Sequence, residues 1–254
     1  MRTWVVVGLC VVIAALLGVA GCSKSVPEGN RGAEAAEKAT PAPEPAAPAG
    51  QFPTAEVTST ATAPEIDGNL DDAAWKDKQL KGAMLNVYTS EVAAVQSKVY
   101  VTYDDKNLYV AFDMSEPNVA GMVARQTDVV ADRDGPIWED DAGEIFLDPA
   151  NGQKERNYYH IAVNSKCVVY DEKIKDNKWD APARCAAKVG TDHWVVELSI
   201  PLASLGVEGS PKGQTWLANF CRDRQVTGTT EDTSWSDVGE EFHNWQRYGH
   251  ITFR

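Results

Sequence analysis

Trp138-Glu139-Asp140-Asp141-Ala142-Gly143-Glu144-Ile145-Phe146-Leu147-Asp148 is the stretch from which the rest of the chain is best read. Its last five residues alternate. Glu144, Phe146 and Asp148 leave one side of an extended chain and Ile145 and Leu147 the other, because successive strand side chains point to opposite faces. Ile145 and Leu147 are suited to a core. The other side offers carboxylates and a ring to a second surface, with the indole of Trp138 on the loop that leads in.

Outward from this strand, the same period of two recurs. Val99-Tyr100-Val101-Thr102-Tyr103, the turn Asp104-Asp105-Lys106-Asn107 and Leu108-Tyr109-Val110-Ala111-Phe112-Asp113-Met114 read as a hairpin, with Leu108, Val110, Phe112 and Met114 as its buried stripe. Asn157 to Tyr170 reads as one long strand. Tyr159, Ile161, Val163 and Cys167 share one face of it, and Tyr158, His160, Ala162 and Asn164 the other. His193 to Pro201 is a strand ended by a proline, Trp216 to Arg224 is another with Asn219 and Arg222 as polar members, and His250 to Arg254 is the last. Leu70 to Trp75 reads as a short helix-like turn after the Asp67-Gly68-Asn69 turn signal, with Trp75 as a packing plug. Many short alternating strands and few helical stretches predict an all-β antiparallel sandwich.

The chain has 254 residues, 43% hydrophobic and 24% charged, which suits one globular domain with extensions. Arg2, the apolar run Val5 to Leu17 and Val19-Ala20-Gly21-Cys22 read as a bacterial lipoprotein signal over residues 1–21, with Cys22 as the lipidated residue. The run falls short of the roughly 20 residues that span a bilayer core, so the expected attachment is through lipid. Ser23 after that cysteine favours the outer membrane. Residues 22–52, rich in Ala, Pro and Glu, read as a spacer that buries almost nothing, and residues 53–254 as the folded domain.

A formal net charge of −13 argues against nucleic acid, whose phosphates need clustered Lys and Arg. Neutral polymers or small solutes fit better. Of five cysteines, Cys167, Cys185 and Cys221 belong to the folded domain. A Cys167–Cys185 bridge and plain buried thiols both remain open. The long acidic loop from Glu116 to Trp138 contains Asp132-Arg133-Asp134-Gly135, part of a calcium-loop pattern in which Asp132 and Asp134 are the candidate ligands. Val130 stands where an EF-hand loop starts with Asp, and Asp141 where it closes with Glu.

Catalysis is disfavoured. A retaining glycosidase holds its carboxylates about 5–5.5 Å apart and an inverting one about 6.5–9.5 Å, whereas Glu144 and Asp148 on one strand stand ~13 Å apart. No GxSxG, P-loop or HExxH motif is present. A flat ring beside a fixed carboxylate instead matches a pyranose, which has an apolar C–H face and a rim of hydroxyls.

Five pieces in order carry a resemblance: Pro64-Glu65-Ile66-Asp67-Gly68 with Trp75; Tyr103-Asp104-Asp105-Lys106-Asn107-Leu108-Tyr109-Val110; Trp138-Glu139-Asp140-Asp141 with Glu144-Ile145-Phe146-Leu147-Asp148; Val196-Glu197-Leu198-Ser199-Ile200-Pro201; and Ser234-Trp235-Ser236-Asp237. From about residue 60 to 254 the chain looks like family 9 carbohydrate-binding modules. The resemblance implies an immunoglobulin-like β-sandwich, a sugar held between two tryptophans and oriented by carboxylate, amide and arginine groups, and calcium bound away from the sugar. On this chain it implies Trp138 as the first clamp aromatic and Glu144 as the carboxylate for sugar hydroxyls. The family's strand arginine falls on His160, and its second tryptophan on Phe242, with Trp245 three residues on as the other source of an indole. Asn164, Asn219 and Arg222 complete the expected ligand set, although Asn219 and Arg222 also read as bridges between strands. The expected function is non-catalytic glycan binding at the cell envelope, serving partner glycoside hydrolases. Two alternatives stand beside it: a b-type haem-binding electron-transfer domain, which the wider superfamily contains and for which Met114, Met122, His160 and His193 are available, and a structural cell-envelope interaction module.

Overall fold

A computed structural model describes residues 52–152, 156–174, 176, 178–228 and 230–254. The expected signal segment, Cys22 and the spacer up to residue 51 lie outside the described residues. The strands in chain order are β1 (Thr54–Val57), β2 (Leu85–Asn86), β3 (Ser97–Tyr103), β4 (Asn107–Ser115), β5 (Ala142–Asp148), β6 (Tyr159–Asn164), β7 (Val169–Lys173), β8 (Arg184–Val189), β9 (His193–Pro201), β10 (Thr215–Asp223), β11 (Thr233–Ser234) and β12 (Gly249–Phe253). They form two sheets. One runs β1-β12-β10-β5-β6-β7, with β11 and β2 added beside β10; the other runs β3-β4-β9-β8. All pairings are antiparallel except β1 with β12.

The alternation read from sequence decides which side of each sheet faces inward. Ile145 and Leu147 of β5 join Leu108, Val110, Phe112 and Met114 of β4, Ile161 and Val163 of β6 and Trp216, Ala218 and Phe220 of β10 in one core. Removing these side chains from water drives the sandwich together, at about 25 cal/mol per Å² of apolar surface. Gly143 belongs to the same inward row. A Cβ there would stand 3.3 Å from both Phe112 and Met114 of the facing sheet, so glycine lets the sheets approach.

The outer face of the smaller sheet is closed by Trp75, which packs with Tyr109 and Ala111 under Ile66 and Leu70. One carboxylate holds this cover. Glu197, fully buried on β9, accepts the indole N–H of Trp75 at 2.7 Å on Oε1 and the backbone N–H groups of Asp67 and Gly68 at 3.0 and 2.6 Å on Oε2. Gly68 has φ +85°, and a Cβ there would sit 2.9 Å from Lys188 Cβ. Only glycine suits both the conformation and the close approach.

Two expectations change on contact with the structure. The predicted strand Asn157 to Tyr170 is a hairpin, because Asn164 Oδ1 accepts the N–H groups of Lys166 and Val168 and folds the chain back. Cys167 at φ +57° is in the resulting turn rather than on the strand face. Its partner is Cys185 of β8, so a disulfide ties the β6–β7 turn to the other sheet, and Cys221 is a free buried thiol.

Glu197→Gln exchanges a charge-assisted acceptor for a neutral amide facing three donors. It should lower the free energy of unfolding by about 1.5–3 kcal/mol, read from urea unfolding of variant and wild type. An unchanged midpoint and slope would remove Glu197 from this role.

Candidate functional site

Strand register assembles the outer face of the larger sheet. One row places Ser234, Cys221, Glu144, Ala162 and Tyr170 side by side across β11, β10, β5, β6 and β7, and the next places Asn219, Phe146, His160 and Glu172 across β10, β5, β6 and β7. Glu144 and His160 are diagonal neighbours. His160 Nε2 meets Glu144 Oε2 at 2.9 Å, and the imidazole stacks on Phe146 with ring centres 4.2 Å apart and planes 6° apart. On the other side of the ring, Nδ1 approaches Glu172 Oε1 to 3.4 Å without making a hydrogen bond, while Glu172 Oε2 accepts the Tyr170 hydroxyl at 2.8 Å.

The charges on this face are coupled. Burial by itself would drive His160 toward its neutral form, yet the Glu144 and Glu172 carboxylates raise its pKa to about 9. Burial likewise favours protonation of Glu144, but the neighbouring imidazolium outweighs it and holds the carboxyl below its ordinary value. Asp223, two residues beyond Cys221, is buried and lies against the carboxyls of Glu144 and Asp232. Its pKa is therefore raised well above 3.8, and it keeps its proton so that the group can share one site.

Aromatic rings flank this polar floor. Trp138 lies in a 3₁₀ turn, Ile137–Glu139, with 49% of its surface exposed, edge-on to Tyr170 at 5.6 Å. Asp140 and Asp141 fix the approach to it by accepting backbone N–H groups of the long loop: Arg125 and Gln126 on Asp140, Val123 on Asp141. Gln225 Nε2 donates to the Trp138 carbonyl at 2.9 Å. Across the face, the segment with Phe242, His243 and Trp245 packs on Phe146, Tyr158 and Tyr248. Phe242 lies 6.3 Å from Phe146, and Trp245 opens the 3₁₀ turn Trp245–Arg247.

The structure thus brings together Trp138, Glu144, His160, Phe242 and Trp245 and draws the remaining candidates away. Glu144 is on the expected face but only 4% exposed, its carboxylate engaged by His160 rather than open to solvent. Asn164 is buried and holds the chain through Asp140 and the Gln126 carbonyl. Asn219 is buried too, its amide divided among Ser234, Ser236 and Cys221. Arg222, three residues on, faces the opposite way and binds the Ser115 carbonyl and Glu116 between the sheets. All three correct the expected ligand set: their polar groups are taken by the protein. Asp132 Oδ2 accepts N–H groups of Thr127 and Asp128, and Asp134 Oδ1 that of Asp171, so one oxygen of each already shapes the loop. Met114 is in the core and His160 on the outer face, so a sheet separates this pair of haem candidates.

Tyr170, Glu172, Asp223, Asp232 and His243 belong to the site and were not singled out from sequence. Spacing holds a signal for three of them: Asp223 continues the Asn219, Cys221 alternation, and Tyr170 and Glu172 share a face once the turn at Asn164 is recognised.

A family model described as carbohydrate family 9 binding domain-like matches residues 66–254. Among solved structures, a family 9 carbohydrate-binding module from Caldicellulosiruptor kristjanssonii in complex with cellotriose is 18% identical, with a TM-score of 0.57 over 79% of this chain and 93% of that one. The same organism's family 9 module in complex with glucose is 17% identical, with a TM-score of 0.55 over 78% and 95%. A Bacteroides uniformis protein is 16% identical, with a TM-score of 0.60 over 80% and 100%. At these identities the likeness carries the fold. No curated protein matches the sequence.

Asp223→Asn keeps the side-chain shape and removes its proton equilibrium. Because the folded-state pKa is raised, the stability Asp223 contributes is complete below 3.8 and is lost as pH rises through the folded value. The melting temperature of wild type minus that of the variant should therefore fall as the pH is raised above about 4 in thermal scans. A difference that is flat or rises with pH would contradict the assignment.

Proposed function

We propose, from the premise that the chain belongs to the carbohydrate family 9 binding domain-like family, that it binds a saccharide without catalysis on the outer face of its larger sheet. The observation that carries the reading is the half-exposed indole of Trp138 beside a buried polar floor. Within that floor Glu172 Oε1 has no hydrogen-bond partner in the protein, and Asp223 and Asp232 share a proton. The indole offers a flat apolar surface to the C–H face of a pyranose, and the acidic groups offer partners for sugar hydroxyls, together with the hydroxyls of Tyr88, which donates to Asp232 at 2.7 Å, and Tyr158, which meets His243 at 2.7 Å.

The position of His160 supports a division of labour. It faces Glu144 and Glu172 at once, so it fixes the floor, and Trp138 supplies the contact that reaches solvent. On the opposite flank Phe242 or Trp245 serves as the second ring. The modules seen in complex with cellotriose and glucose make β-linked glucose oligomers the first ligands to test.

The remainder of the proposal rests on sequence. Cys22 anchors the protein by lipid to the bacterial envelope, the following Ala, Pro and Glu residues hold the domain off the membrane, and the bound glycan is presented to partner hydrolases. Calcium at Asp132 and Asp134 belongs to the same proposal, as a loop-stabilising ion away from the sugar.

Trp138→Ala should weaken cellotriose binding by about 2 kcal/mol, roughly 30-fold in Kd, as expected for a binding hot spot. Titration calorimetry reads the affinity, and an unchanged melting temperature shows that an exposed ring was removed without unfolding. Unaltered affinity would displace Trp138 from the site. A glycan array with no ligand would remove the saccharide reading.

A further inference from the structure

His160, Glu172 and His243 place two imidazoles and a carboxylate on one point of the outer face, with one donor atom from each lying within 4.8 Å of the other two. Glu172 Oε1 is 3.4 Å from His160 Nδ1 and 3.8 Å from His243 Nδ1. Two ligands each 2.0–2.1 Å from a tetrahedral zinc ion stand about 3.3 Å apart. His160 and Glu172 are already close to that spacing. His243 is half-buried on a loop, so the remaining movement falls on the most adaptable of the three.

A second, independent observation points to a ligand. His160 Nδ1 and Glu172 Oε1 are buried, on residues only 3% and 4% exposed, and neither has a hydrogen-bond partner in the protein. Nε2 of His160 is held by Glu144 at 2.9 Å. When a metal displaces the Nδ1 proton of the imidazolium to solvent, this becomes the arrangement in which a carboxylate takes one ring nitrogen, fixes the imidazole's orientation and leaves the other nitrogen to the ion.

We propose that His160, Glu172 and His243 form a binding site for a first-row divalent transition metal, with zinc as its simplest occupant. Two histidines and one glutamate are a donor set such ions accept, and three protein ligands leave a fourth position for water or a ligand oxygen. The surrounding Glu144 adds negative charge. His243 Nδ1 now meets the Tyr158 hydroxyl at 2.7 Å; metal binding there moves that hydroxyl aside, where it keeps the Arg156 guanidinium as a partner. An ion so placed ties the segment carrying Phe242 and Trp245 to β6 and β7. The inference does not depend on the saccharide reading.

The test uses the chain without a histidine tag, stripped with chelator and titrated with zinc chloride by calorimetry. The expected result is one ion per chain, with a raised melting temperature. His243→Ala and Glu172→Gln should each weaken binding at least tenfold, and Glu144→Gln by about 10–100-fold as an outer-shell change. His243→Ala removes a loop side chain, and its native melting curve without zinc separates lost binding from lost fold. Cobalt loaded in place of zinc should give the intense visible bands of a four-coordinate ion, abolished by either ligand variant. No heat and no melting shift with zinc, absence of those cobalt bands, or zinc binding indifferent to both ligand variants would each overturn the proposal.

Discussion

Carboxyl groups buried on the face of a sheet are tolerated only when something answers their charge. On this protein the answer is His160. Its ring lies between Glu144 and Glu172, stacked on Phe146, and its charge holds Glu144 ionised in a place where burial alone would neutralise it. Where the imidazolium does not reach, Asp223 takes the other solution and stays protonated. The register of four strands places that cation in the middle of the polar floor, with the aromatic flanks bordering it.

A parallel constraint works on the opposite side of the molecule, where Glu197 gathers three separate motifs. The Ile66-Asp67-Gly68 turn, Trp75 and the Val196 to Pro201 strand are far apart in sequence and meet at one carboxylate. The family signature in this region therefore describes how the smaller sheet is covered. The signature around Trp138 does two things: Asp140 and Asp141 clamp the long loop through backbone N–H groups, and the clamped loop presents the indole.

Much of the fold was legible because a period of two is a local signal. The hairpin from Val99 to Met114, the inward Ile145 and Leu147 and the polar side of β5 needed no knowledge of partners. The site was less legible because it is made by register, and register is set between strands. Asn219 and Arg222 were grouped as polar members of one strand, although three positions in an extended chain put them on opposite faces. The run from Asn157 to Tyr170 hid a turn, since its residues alternate well enough to pass for one strand until the Asn164 side chain bends it. With the turn missed, Glu172 and Tyr170 lost their place beside His160. Trp138 was placed correctly on a loop, but its neighbour Tyr170 belongs to a strand that sequence had not separated.

The outer face of the larger sheet is the proposed saccharide-binding surface. Crystals soaked with cellotriose would test this most directly. A pyranose ring lying flat on the Trp138 indole, with hydroxyls turned toward the floor around Glu172 and Asp223, is the predicted result. A sugar seated elsewhere, such as the surface groove lined by Ala150, Tyr159, Lys173 and Gly206, with the Trp138 face bare, would contradict it.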